Sequence, residues 1–264
     1  KVYNTYWYLA AERQAIFFKK LKKSKPPYSN DPILSTYKFC NAYRASDRVS
    51  QFLIKDVIYD LSLNERDTLF RIFLFRILNK IETWRALESK LGRISLENFK
   101  ARLYSNLISE MFDSGASVFG NAFILCANKA FGFERKHDNF LALLEKIFVK
   151  DKLDYKMLES KTMREVFSFL RGLPLIGDFM AYQLSIDFNY SEVFGFGENE
   201  FTVAGPGAVR GINKSFKSTS GRSHSYIINY MVHNQEREFE KRGFKFKNLF
   251  GRALHAIDCQ GLFC

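Results

Sequence analysis

The chain has 264 residues, of which 47% are hydrophobic and 26% charged, enough apolar material for one large domain or two small ones and too much for a disordered or fibrous polymer. Forty Lys and Arg against 28 Asp and Glu leave a formal charge of +12, a balance that favours a polyanionic partner, nucleic acid first. Charged or polar residues interrupt every apolar run, Leu69–Ile81 included, so none reaches the roughly 18 to 20 residues of a membrane-spanning helix, and a soluble cytoplasmic (in a eukaryote, nuclear) protein is expected.

In chain order, the periodicity predicts a first helix over Tyr6–Lys23. Tyr6, Leu9, Ala10, Phe17 and Leu21 face inward, and Lys19, Lys20, Lys22 and Lys23 suit its C-terminal end. Three of the five prolines fall in Lys25–Pro32, which is therefore a loop. Ile33–Tyr59 reads as one or two helices. Asn64 is the expected N-cap of a helix running to about Glu88, and Ser95 starts another that runs to Ser114. Gly115–Lys129, Asn139–Val149, Thr162–Leu170 and Asp178–Asp187 follow as helices. Asn189–Gly207, rich in Gly, Phe, Asn and Glu, is a long loop of the kind that carries function. Ala208–Phe216, Tyr226–Arg242 and Phe246–Leu254 are predicted helical, with at most one short extended piece inside Glu192–Val203. The fold class is all-α, an irregular bundle without internal repeats.

Cys40, Cys126, Cys259 and Cys264 follow neither zinc nor disulfide spacing and read as buried thiols of a reducing compartment. His224, His233 and His255 have no second ligand at metal spacing. Neither a metal nor a cofactor is expected. The chain opens on Lys1 without a methionine and stops at Cys264, which reads as a fragment.

The most informative local segment is Leu170-Arg171-Gly172-Leu173-Pro174-Leu175-Ile176-Gly177-Asp178, where one helix ends, Pro and Gly make a turn, and another helix starts. It resembles the helix–hairpin–helix of DNA glycosylases, with Leu175 where that pattern has its first glycine. The resemblance implies backbone N–H groups near Gly177 and Leu175 turned toward a DNA phosphate. Lys136, Arg210 and Lys214 are the cations assigned beside it to DNA. The same pattern asks for an acid about twenty residues on, at the lip of a base pocket. Glu198 and Glu200 lie near that distance, and Asp187 is the other candidate. Glu200 and Asp187 are carried forward as catalytic candidates, because a carboxylate near C1′ stabilises an oxocarbenium-like state and positions water. Against this, Glu200 also reads as a solvated loop acid, and Asp187 as a helix-terminal residue in a turn interaction.

At helical spacing Asn41, Arg44 and Arg48 share a face with Asp47 beside them, a set of forked donors, an amide and a carboxylate able to read a polar base or sugar. An ordinary surface ion pair between Asp47 and Arg44 or Arg48 is the alternative.

Ala10-Ala11-Glu12-Arg13-Gln14, the Tyr37–Gln51 segment, Asn79–Trp84, Lys136-His137, the Leu173–Tyr190 segment, Val203–Ile212 and Ile257-Asp258-Cys259-Gln260 together resemble one family. It is the α-glutamyl/putrescinyl-thymine pyrophosphorylase-like group of glycosylase-fold proteins, which includes antiphage DNA glycosylases and shares its helical domain with 5-hydroxymethyl-deoxyuridine DNA kinases. The resemblance implies one glycosylase-like helical domain over residues 1–264, or two helical lobes flanking a cleft. It also implies a monomer acting on double-stranded DNA with hypermodified pyrimidines, such as glucosylated 5-hydroxymethylcytosine or modified 5-hydroxymethyluracil. The base would be flipped out and its N-glycosidic bond hydrolysed, with Asn41, Arg44, Asp47 and Arg48 forming the base pocket. No lysine follows the turn where strand-cleaving glycosylases use one, so a monofunctional reaction is expected. The alternatives are a non-catalytic DNA-binding module, and a transferase that adds an amine to a pyrophosphorylated base. Gly205–Ser215 fails the spacing of a phosphate-binding kinase loop.

Overall fold

The computed structural model describes residues 2–59, 63–121 and 128–264. Among them are thirteen α-helices and no β-strand, only an isolated bridge between Leu249 and Arg252. The chain divides into two compact units, one made of Lys1–Ser50 with Gly197–Cys264 and the other of Gln51–Phe196.

The first unit contains α1 (Val2–Leu21), α2 (Pro32–Thr36), α11 (Pro206–Ser215), α12 (His224–Lys241) and α13 (Ala256–Leu262). Each start has a local cause. Asp31 accepts the N–H groups of Ile33 and Leu34 ahead of α2, Pro206 opens α11, and Ser223 accepts from Tyr226 to cap α12. α1 buries Tyr6, Trp7 and Ala10. Trp7 meets Phe239 edge-on at 5.1 Å, and Phe239 stacks on Phe246 at 4.5 Å, so one aromatic seam joins the N-terminal helix to the C-terminal region. α11 lies so close to the chain end that a Cβ on Gly211 would stand 2.0 Å from the Phe263 carbonyl oxygen.

The second unit contains α4 (Glu65–Leu78), α5 (Ile81–Leu91), α6 (Ala101–Asp113), α7 (Lys136–Glu145), α8 (Asp154–Leu158), α9 (Met163–Arg171) and α10 (Asp178–Phe188). α4 is its axis: every residue from Asp67 to Leu78 is buried. Its two arginines are accommodated by full pairing. Arg71 donates to the carbonyls of Val57, Ile94 and Asp56, and Arg76 grips Asp187 through two bonds of 2.6 and 2.9 Å. Trp84 is fully buried against Phe75, at 5.6 Å.

Several expectations need correction. The Asn64–Glu88 helix is two helices, because Asn79 enters the left-handed region (φ 47°) and its N–H closes on Phe75. Ile33–Tyr59 holds only α2, a 3₁₀ turn at Arg44–Ser46, α3 (Arg48–Phe52) and a π-helical turn at Leu53–Ile58. Ser95 does not start α6, which begins at Ala101. Phe246–Leu254 is not helical, and the C-terminal helix lies instead at Ala256–Leu262. Gly115–Lys129 falls partly outside the described residues, and 116–121 are not helical. Cys259 is buried as expected, but Cys40 and Cys264 are exposed; Cys126 lies outside the described residues.

Candidate functional site

A cleft of about 1060 Å³ lies in the first unit. Its walls come from the C-terminal half of α1, the Pro26–Ser29 turn and the segment from Leu34 to Arg48. Aromatic Phe17, Tyr28, Tyr37 and Phe39 share it with Arg13, Lys20, Asn41, Asp47 and Arg48. Three of the four residues expected to form a base pocket therefore meet one cavity. They do so without the helical face, since the chain before Arg44 is not helical.

Hydrogen bonds to the backbone fix this segment instead. Arg13, buried in α1, donates to the carbonyls of Cys40 (2.6 Å) and Asn41 (3.0 Å). Asp47 accepts the Asn41 N–H at 2.7 Å, and the Asn41 side chain donates to the Ser46 carbonyl at 2.8 Å. Burial pushes the Asp47 carboxyl above its ordinary value, against the lowering pull of the Asn41 N–H and the charges of Arg13 and Arg44. Arg48 is exposed at the cleft.

A charged network continues from there. The Arg44 N–H donates to Asp258 at 2.8 Å, and the same carboxylate takes Arg252 (2.9 Å) and the N–H of His255 (3.0 Å), closing the first turn of α13. Burial pushes the Asp258 carboxyl up, although Arg252 and these donors pull the other way. Glu198 lies 3.1 Å from Nδ1 of His255 and 3.8 Å from Arg252. Burial alone would raise it, but His255, Arg252 and Arg44 outweigh that and hold it below the usual carboxylate range. Asn199 beside it accepts the N–H of Ala256 at 2.8 Å. The unit thus holds a half-buried carboxylate within ion-pair distance of a histidine and an arginine that favour its charged form.

The other candidates are dispersed. Glu200 is exposed, with its carboxylate folded over Gly197. Asp187, fully buried, is bound by Arg76 in the second unit. Gly177 is the N-cap of α10 in a turn whose Leu175 takes a left-handed backbone (φ 68°), the conformation glycine adopts most readily. Lys136 opens α7 with its ammonium 3.9 Å over Phe119. Arg210 and Lys214 are exposed, one turn apart on α11. Sequence reasoning assigned no role to Arg13, Arg252, His255 or Asp258. Two of the segments quoted for the resemblance, Ala10–Gln14 and Ile257–Gln260, contain Arg13 and Asp258. Among the described residues no group of three His, Cys, Asp or Glu side chains is placed to hold a metal, and no helix is long and apolar enough to cross a membrane.

The fold and cleft define an all-α protein with a roomy cavity lined by aromatic and arginine side chains. The family described as "5-hmdU DNA kinase, helical domain" matches residues 1–264, and the chain belongs to that family. It is 27% identical over 287 aligned residues to the 5-hmdU DNA kinase of Bacillus phage SP10. That match covers 98% of this chain but 44% of the phage protein, so the chain spans less than half the relative's length. No solved structure matches it.

Proposed function

We propose that this chain recognises a hypermodified pyrimidine in DNA, of the 5-hydroxymethyluracil or glucosylated 5-hydroxymethylcytosine class, and hydrolyses its N-glycosidic bond. One observation carries the reading. The first unit's cleft is lined by aromatic side chains with Asn41, Asp47 and Arg48, and in the same unit a chain of contacts from the Arg44 N–H through Asp258 and Arg252 reaches Glu198, which lies outside the cleft's lining. Aromatic walls stack a displaced base, while the amide, carboxylate and guanidinium groups hydrogen-bond its polar substituent. An ionised carboxylate stabilises the developing oxocarbenium charge and orients the attacking water. Glu198 suits that task better than solvent-exposed Glu200 or the ion-paired Asp187. Family membership supports the modified-pyrimidine context. Within the second unit the turn at Leu175–Gly177 and Lys136, and within the first unit Arg210 and Lys214, are each proposed contacts to the DNA backbone.

The test is incubation of the chain with unmodified, 5-hydroxymethyluracil and glucosyl-hydroxymethylcytosine DNA, scoring free base and alkali-labile sites. Base release from modified DNA only is expected. In Glu198→Gln it falls by about 10²- to 10³-fold, the usual effect of removing a charge-stabilising group. It persists in Glu200→Gln, and full activity in Glu198→Gln would move the catalytic role elsewhere.

A second reading has its own support. Because more than half of the phage kinase lies outside the match, the helical region also suits a module that presents modified DNA to another catalytic domain. Binding that prefers modified DNA, with no base released, is the outcome that favours it.

A further inference from the structure

The lysine-rich end of α1 is used by none of the chemistry above. Lys19, Lys20, Lys22, Lys23 and Lys25 are all exposed, and they run directly into the Pro26–Tyr28 wall of the cleft. Lys19 donates to the Tyr28 carbonyl at 2.6 Å, and the Lys20 ammonium lies 5.5 Å from the centre of the Tyr28 ring, so the turn and the cations form one surface. Lys247 extends it: its ammonium stands 4.5 Å over Phe18, and its carbonyl accepts from Gln14 of α1. Among the described residues Lys20, Lys22, Lys23 and Lys25 pair with no carboxylate. The nearby acids are engaged elsewhere, Glu12 with the Ser29 hydroxyl and Asp31 in capping α2. A cluster of unneutralised ammonium groups on one lip of an aromatic-walled cavity matches a polyanion whose side groups stack, which is the chemistry of a single nucleic-acid strand.

We infer that Lys20, Lys22, Lys23 and Lys25 form a phosphate-binding lip that holds the strand flanking the nucleotide in the cleft. The inference rests on the reading that the chain acts on DNA, and it adds a backbone contact distinct from the Leu175–Gly177 turn. The lip is sequence-independent: it sets affinity and salt dependence, while the cleft sets base preference.

The test is binding of an unmodified single-stranded 20-mer across a salt series, by fluorescence anisotropy. It compares the chain with a lip variant (Lys20, Lys22, Lys23 and Lys25 each to Gln) and with a control variant (Lys100, Lys152, Lys156 and Lys161 each to Gln). The control loses the same charge from exposed positions in the second unit. Each phosphate contact contributes about 0.7 to the slope of log affinity against log salt, so the lip variant should lose up to about 3 from the slope and bind roughly ten- to a hundredfold more weakly near 0.1 M salt. The control should keep most of both. Equal losses in the two variants would show a net-charge effect and overturn the lip, as would an unchanged slope in the lip variant. So would a lip variant that loses only its affinity for anionic phosphatidylserine vesicles. If the lip dependence holds while neither base release nor preference for modified DNA is found, the functional reading falls and the lip stands.

Discussion

At the residue scale, burial decides what each charged group does. The Arg76–Asp187 pair is wholly enclosed, with the side chains 1% and 0% exposed. Removing either partner leaves an uncompensated charge in the interior, which costs about 3–5 kcal/mol. Asp187→Ala and Arg76→Ala should therefore lower the denaturation midpoint strongly, and the double variant should lose much less than the sum. A urea titration of all three proteins checks this. Glu198 gives a pH-dependent counterpart. Its folded value lies below the ordinary one, so its stabilising contribution is present above the usual carboxylate range and disappears as pH falls through the lowered value. Thermal melts should show Glu198→Gln less stable than the parent at pH 7, with the gap closing under acid. Asp47 and Asp258 have raised values and act in the opposite sense, giving up stability as pH rises from the ordinary range through those values.

At the element scale, helix ends and close approaches matter more than helix interiors. Thr162 caps α9 by accepting the Glu165 N–H at 3.2 Å, and Thr162→Ala should cost about 1 kcal/mol, measurable as a shift in the unfolding midpoint. Gly211 is more demanding, because the atom a Cβ would strike is backbone rather than a flexible side-chain tip. Gly211→Ala should cost about 1–3 kcal/mol through displaced packing, and a melting temperature equal to the parent's would count against that tight contact. The helices that were legible in the sequence, α1, α7, α9, α10, α11 and α12, all carry their own boundary signals or a long apolar stripe. The Cys40–Arg48 region was not legible as built, because Arg13 and Asp47 bond the backbone of Cys40 and Asn41. Helical spacing put Asn41, Arg44 and Arg48 on one helix face, whereas Asn41, Asp47 and Arg48 line the cleft because the chain before Arg44 is not helical.

For the whole molecule, the two units differ in how the chain enters them. The second is one continuous stretch, Gln51–Phe196, with its own buried axis in α4, whereas the first needs both chain ends. Residues 51–196 expressed alone should fold to a helical, cooperatively melting domain, checked by circular dichroism against the full chain. A non-cooperative melt would show that this unit depends on the other.

Composition and pattern alone determined the helical class, the positive charge and the segments that carry the family resemblance, because amphipathic periodicity and net charge are local or additive properties. Tertiary structure alone decided which acid stands ionised beside a histidine and which is locked to an arginine. Glu198, Glu200 and Asp187 carry the same functional group and all follow the Leu175–Gly177 turn in the chain. What separates them is desolvation and the partners brought by residues up to 111 positions away, as Arg76 is from Asp187, and no spacing rule encodes that.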